Sequence, residues 1–316
     1  DGSGNPKQII GRQGFGPGEF GSWIIPYITE TGFITGIIPE SGGSSYNLFS
    51  PDYKFIERKN MQFSELDKQW KKEHGLSTVL YDGVYSYSQE ERLICSKALG
   101  KPEGKSEKWY YVIAYQNKGD TKVISVQEDP LNTSPSIKED GVFLFHLLPD
   151  RKFVYTNSHI NRSFKDGNWY YSLFVYDLKT HEQKEIKRFY NPVSIPDSVI
   201  YRTTEYPENL PEYFLESLKK EERTRREKLE AIKVYAPLHH IITDGTLIFA
   251  LTWEYDKEKG CIVEIIDSIT GKYLRSAYFP FIPDFLKNGY AYRLKTGSDI
   301  FPEVEKYKVN PAVYSK

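Results

Sequence analysis

Cysteine and methionine are scarce in this 316-residue chain, and so are long apolar runs. The two cysteines, Cys95 and Cys261, cannot build a structural zinc site on their own, because such a site takes four Cys/His ligands at close spacing. They leave open two buried thiols or one disulfide. The single methionine, Met61, argues against a Met-lined groove of broad specificity. No stretch of about 18 apolar residues exists, so no segment reads as a membrane-spanning helix. Net charge is −1, from 42 basic and 43 acidic residues, so no global field gathers nucleic acid or an anionic membrane. The chain opens on a short polar leader, Asp1-Gly2-Ser3-Gly4-Asn5, without an initiator Met. That reads as a trimmed or mature chain whose targeting segment has been removed.

Aromatic residues, by contrast, make up 15% of the chain, including 25 tyrosines. Tyrosine and phenylalanine favour pleated, half-buried surfaces, so the composition leans towards β structure. Six tight-turn signals each run straight into an apolar or aromatic strand: Thr31-Gly32-Phe33-Ile34, Asp82-Gly83-Val84-Tyr85, Asp140-Gly141-Val142-Phe143, Asp197-Ser198-Val199-Ile200, Asp244-Gly245-Thr246-Leu247 and Asn288-Gly289-Tyr290-Ala291. Their steps are 51, 58, 57, 47 and 44 residues. A period near fifty made of short strands predicts an all-β, six-bladed β-propeller spanning 1–316 as a single domain. The fourth copy is the weakest, since Ser198 replaces the glycine that tolerates positive φ.

Two further patterns fit blades. Pro51-Asp52-Tyr53-Lys54-Phe55 and Pro149-Asp150-Arg151-Lys152-Phe153 share P-D-x-K-F at a spacing of 98, which reads as two blades of 49. Outer hairpins are expected from Trp109–Tyr115 with Lys122–Val126, from Trp169–Tyr176 with Lys184–Phe189, and from Gly260–Ile266 with Tyr273–Phe279. Pro211–Val234 breaks the pattern and predicts a helical insertion, with a proline start, no glycine and good helix formers throughout. Its centre, Lys219–Lys228, is charged except at Thr224, so no buried face is expected there, and Glu221–Arg225 and Glu222–Arg226 stand at i,i+4 spacing. The insertion serves as a solvated spacer or as a partner-binding or lid element. A second, short helix is expected within Phe63–Ser77.

The residues capable of chemistry are few. Gly11, Gly14, Gly16 and Gly18 form no G-x-G-x-x-G and precede no G-K-[ST], so a structural turn is expected rather than a phosphate cradle. His239 and His240 are neighbours and point to opposite faces of a strand, so they do not share a metal ion. His146, His159 and His181 fall in one region with Arg151, Asn161 and Arg162, and the donor-rich stretch Asn157–Lys165 suits ligand contact or simple solvation. Trp253-Glu254-Tyr255 offers an aromatic platform for a sugar, or an ordinary alternating strand. G-x-S-x-G is absent, and no Ser/His/Asp arrangement is singled out as a nucleophile. The candidate ligand-binding residues are therefore His146, Arg151, His159, Asn161, Arg162, His239, Trp253 and Glu254. No catalytic residue, metal or cofactor is assigned.

The N-terminal run Ile9-Ile10-Gly11-Arg12-Gln13-Gly14-Phe15-Gly16-Pro17-Gly18-Glu19-Phe20 resembles the G-R-x-G-x-G-P-G-E-F motif of NHL-like six-bladed propellers. The C-terminal run Phe301–Tyr314 resembles the closing segment of TolB-like six-bladed propellers of Bacteroidetes cell envelopes. The resemblance implies that Lys7–Arg12 supplies the outermost strand of the last blade. It also implies an exported, periplasmic or envelope protein, often lipid-anchored, and it carries over no catalytic residue. The reading that follows is a monomeric, non-catalytic propeller binding a protein, small molecule or glycan, with no nucleic acid partner. The alternative is a hydrolase or lyase acting on a glycan or lactone at the central channel.

Overall fold

The computed structural model describes residues 10–14, 16–20, 24–40, 43–60, 75–100, 107–129, 143–202, 206, 210–295 and 303–315. They fall into two compact units, Asp1–Pro135 and Ser136–Lys316.

The first unit holds two antiparallel four-stranded sheets. Sheet 1 comprises β1 (Ile25–Ile28), β2 (Ile34–Glu40), β3 (Gly43–Phe49) and β4 (Phe55–Asn60). Sheet 2 comprises β5 (Leu76–Ser86), β6 (Glu91–Gly100), β7 (Lys108–Asn117) and β8 (Asp120–Glu128). In both, sequential strands pair side by side, as in a propeller blade. Ile37, Tyr46, Leu48 and Val84 pack the two sheets together, and Thr29 and Thr35 bond to Ser86 at 2.7 and 3.0 Å. Lys97 on β6 is buried against Asp129 at 2.9 Å.

The second unit holds three more blade-like sheets. Sheet 3 contains β9 (Phe143–Leu148), β10 (Lys152–Asn157), β11 (Arg162–Lys165), β12 (Asn168–Asp177) and β13 (Gln183–Tyr190). Its second strand is split, since β10 pairs with one end of the long β12 and β11 with the other. Two helices follow, α1 (Asp197–Ile200) and α2 (Glu212–Ile232). Sheet 4 contains β14 (Leu238–Asp244), β15 (Leu247–Asp256), β16 (Gly260–Asp267) and β17 (Tyr273–Phe279). Sheet 5 contains β18 (Phe285–Lys287), β19 (Tyr290–Lys295) and β20 (Glu303–Lys308). The first strand of sheet 4, β14, packs against β9 on one side and β18 on the other.

Burial tracks position within a sheet. Interior strands such as β16 (Gly-Cys-Ile-Val-Glu-Ile-Ile-Asp) are nearly continuously buried. The last strand of each sheet is charged and half exposed, with Arg58, Lys122, Lys184, Arg275 and Lys306 among its residues. Charged side chains on an unpaired edge oppose strand-to-strand association.

The described residues form an all-β propeller arrangement of five blades, not the six that the turn signals predict. The fourth signal fails for a local reason. Ser198 lacks glycine's freedom, Pro196 stands at the helix N-cap, and the N–H groups of Val199 and Ile200 both bond the Pro196 carbonyl, so the segment turns into α1. The second signal is no turn either. Asp82-Gly83 lies inside β5 at a bulge, where a side chain on residue 83 would press on the Tyr85 ring. The first, fifth and sixth signals are hairpin turns between first and second strands; at the sixth, Asn288 and Gly289 both take positive φ. The third, at Asp140-Gly141, lies outside the described residues.

The two P-D-x-K-F segments occupy different hairpins. Residues 51–55 join β3 to β4, whereas 149–153 join β9 to β10. Their spacing therefore does not measure a blade. The three expected outer hairpins are present as β7–β8, β12–β13 and β16–β17. The helix expected within Phe63–Ser77 falls mostly outside the described residues, and residues 76–77 begin β5. The expected closing strand Lys7–Arg12 also lies largely outside them, and residues 10–12 form no strand. Both cysteines are buried, and they form no disulfide with each other.

Helix α2 matches the expected insertion but corrects its buried face. Arg225 is 2% exposed, and Leu229, 5% exposed, packs with Ile195, Ile200 and Tyr235. The two i,i+4 ion pairs give way to other partners. Arg225 reaches towards the Val199 carbonyl, Glu222 accepts from Tyr206, and Arg226 lies over the Tyr201 ring.

Candidate functional site

The second unit has two distinguishable ends. Thr243 on β14 donates to the Leu147 carbonyl at 2.6 Å, setting the first strands of sheets 3 and 4 side by side with their turns together. The turn end therefore carries residues 149–151 and 245–246. The other end carries the starts of β9 and β14, the loop 157–161 and the helical insertion.

Six of the eight candidates stand at this insertion end: His159, Asn161, Arg162, His239, Trp253 and Glu254. The other two do not. His146 lies on β9 and meets Thr243 at 2.8 Å. Because the Thr243 hydroxyl hydrogen goes to Leu147, the His146 Nδ1–H must be the donor in that contact, which fixes the tautomer. Burial holds the imidazole below its ordinary value, so the ring is neutral at pH 7. Arg151 sits in the β9–β10 turn, where it and Asp150 both have positive φ and its carbonyl accepts from Leu178.

The insertion is clasped at its base. Ser194 and Val234 form a bridge, Ile195 bonds Lys233 at 3.1 Å, and Tyr235 bonds Val193 at 2.9 Å. Lys233 supplies the left-handed residue that ends α2. Tyr235 then stacks on Trp253, with centroids 3.9 Å apart and planes 5° from parallel, and His239 meets the same indole edge-on at 4.5 Å. A bulge in β15 presents Trp253 and Glu254 here. Thr252 holds it, donating to the Ile262 carbonyl at 3.1 Å and accepting from the Glu254 N–H at 3.2 Å. The Trp253 indole N–H is sealed from solvent and finds no acceptor among the described residues.

The 157–161 loop is tightly organised. Asn161 Oδ1 accepts from the Asn157 N–H at 2.7 Å, its own N–H bonds the Asn157 carbonyl at 2.7 Å, and Asn157 and Ser158 are fully buried. Asn161 thus shapes the break between β10 and β11. Arg162 follows, with its guanidinium over Trp169 at 5.8 Å and near the buried Tyr190. Burial raises the Tyr190 phenol, and nearby Arg162 opposes that shift.

Two open cavities lie at the turn end. One, of about 470 Å³, is bordered by Lys152, Asp177, Glu182, Lys184, Ser268 and Ile269. The other, of about 480 Å³, is bordered by Asp244, Gly245, Gly289, Tyr290, Pro311 and Tyr314. In the second, Asp244 already accepts three hydrogen bonds, from the N–H groups of Asn288 and Gly289 at 2.9 Å and from Tyr314 at 2.8 Å.

The glycine-rich loop also carries its own anion. Glu19 accepts from the Gly16 N–H at 2.8 Å and from Arg12 at 2.5 Å, and both hold its carboxyl below the ordinary value. Among the described residues no three His, Cys, Asp or Glu side chains are grouped as a metal ion would require, and no helix is long and apolar enough to cross a membrane.

Sequence reasoning missed Tyr235 and Tyr190. Tyr235 had a signal, since an aromatic placed just after a helix end packs where the chain re-enters the sheet. Tyr190 had none, because it ends a charged outer strand.

No family model matches the chain, and no curated protein does. Among solved structures it is similar to the GH43 endo-arabinanase from Bacillus licheniformis, at 10% identity and a TM-score of 0.31, covering 90% of this chain and 91% of that one. It is similar to TolB from Acinetobacter baumannii at 11% identity and a TM-score of 0.25, covering 87% of this chain and 65% of TolB. It is similar to Saccharomyces cerevisiae Sqt1 at 8% identity and a TM-score of 0.19, covering 88% and 91%. No residue role passes from these proteins to this chain, and its assignment as a propeller rests on its own strand order.

Proposed function

We propose that this chain is a binding propeller whose recognition surface is the insertion end of the second unit. One observation carries this reading: an insertion clasped firmly to the blades turns large aromatic rings to solvent. Tyr213 is 78% exposed, Tyr201 52% and Phe214 44%. Exposed aromatic side chains on a rigid support are the usual makings of an interface core. The partner, on this reading, is a protein that covers α2. Work in the cell envelope is part of the same proposal and is supported by the resemblance of the two chain ends to envelope propellers.

Photo-crosslinking in native cells tests it. A photoreactive residue at position 213 is expected to give a defined adduct. The same group at Ile269, 62% exposed at the turn end, is expected to give none. Equal labelling at both positions overturns the proposal, and fractionation of the same cells tests the location.

A further inference from the structure

Arg92, on β6 in the first unit, is 9% exposed. Its Nε is sealed from solvent and bonded to nothing, and no carboxylate or carbonyl of the described residues accepts from the guanidinium. Every other buried cation described here has an oxygen within reach. Lys97, on the same strand, has Asp129 at 2.9 Å, and Arg225 has the Val199 carbonyl at 3.5 Å. The adjacent Glu91 cannot serve Arg92. Neighbours on a strand face opposite ways, and Glu91 instead accepts from Tyr115 at 2.5 Å.

What Arg92 does face is sheet 1. Its pairing with Ser86 puts it on the same face as Val84, which packs against Ile37, Tyr46 and Leu48. The guanidinium carbon stands 5.7 Å from the centre of the Tyr46 ring. Tyr46 is 4% exposed, and its hydroxyl is likewise sealed and unbonded. Two buried donors thus lie together between sheets 1 and 2, and neither the Arg92 Nε nor the Tyr46 hydroxyl has an acceptor among the described residues. A ring face offsets only part of what it costs to strip water from a guanidinium. Burial alone depresses the ionisation of Arg92, with no counter-charge to restore it. At Arg188, which is less deeply buried, pairing with Glu264 outweighs desolvation and raises it.

We propose that Arg92 and Tyr46 form a binding site for a small oxyanion, a carboxylate or phosphate group, held between sheets 1 and 2. The planar guanidinium offers paired N–H groups to two oxygens, and the phenol offers a third bond. The remaining exposure of Arg92 is the way in. The low exposure of both side chains keeps bulk water out, which strengthens the contacts and favours a group small enough to leave the sheets in place.

Calorimetric titration of the intact chain with inorganic phosphate and, separately, with acetate tests this and distinguishes the two sources. One of them is expected to give a saturable isotherm. Arg92→Met is expected to abolish it. Tyr46→Phe, which keeps the ring packing, is expected to weaken it about tenfold, the effect of one hydrogen bond to a charged group. In anion-free buffer, Arg92→Met is expected to melt higher than the unsubstituted protein, because it removes an unpaired buried charge. If neither anion binds saturably, or if binding survives in Tyr46→Phe at full strength, the site is not there. Should Arg92→Met fail to fold, the Tyr46→Phe titration still decides.

Discussion

The Tyr171 hydroxyl donates to the Glu264 carboxylate at 2.5 Å, tying the third strand of sheet 3 to the third strand of sheet 4. Glu264 also receives Arg188 at 3.1 and 3.3 Å, and Arg188 lies 4.1 Å from the Tyr273 ring centre. Glu264→Ala strands a buried phenol and a half-buried guanidinium together. It is expected to cost about 3 kcal/mol, read as a lower midpoint in urea with an unchanged slope. Glu264→Gln keeps one acceptor and is expected to cost less.

The same phenol sets an alkaline limit. Burial, then the Glu264 carboxylate, pushes Tyr171 well above its ordinary value of 10.0. Burial and Asp244 do the same to Tyr314. Both groups ionise in the unfolded chain near pH 10 and only at higher pH in the folded one. Their contribution is intact below about pH 10 and is lost as pH rises beyond it. Stability measured from neutral to strongly alkaline pH is expected to fall above that point, and Tyr314→Phe is expected to make the fall shallower.

Two glycines make a matched pair. Gly260 has φ +97°, and a Cβ there would collide with the Phe279 carbonyl; Gly119 has φ +89°, with nothing within 4 Å. Gly260→Ala is expected to lose on the order of 3 kcal/mol, since the clash adds to the backbone strain, and Gly119→Ala about 1 kcal/mol. Thermal melts of the two variants give the comparison.

The aromatic clasp makes a local prediction. Trp253→Ala removes the ring that Tyr235 covers, a pair worth about 1 kcal/mol beyond its buried area. Hydrogen exchange is expected to quicken in Glu212–Ile232 while β12 and β16 keep their protection. Uniform loss across sheet 4 would show instead that the indole supports the blade itself.

Much of the scaffold was legible in the sequence because it is local. Gly32, Gly245 and Asn288-Gly289 mark real hairpins, since positive φ is a property of two or three residues. The aromatic starts Trp109 and Trp169 mark real third strands. The blade number was not legible. It hung on Asp197-Ser198, which a preceding proline sends into a helix; Asp82-Gly83, though a bulge rather than a turn, still falls within a blade. Of the candidate site, adjacency was visible at Asn161 and Arg162. The meeting of Tyr235, His239 and Trp253 depends on how an insertion returns to its sheet, and Arg92 shows itself only when the partners of every buried charge are known.

The clasp at 193–195 and 233–235 brings the two ends of the insertion together beside β14. Whatever lies between them is seen by the blades as a single closed loop, and closure entropy grows only slowly with its length. The segment is therefore a cassette. It can lengthen, shorten or exchange its helix for another element while the strands on either side keep their register, so the insertion can diverge faster than the scaffold that carries it.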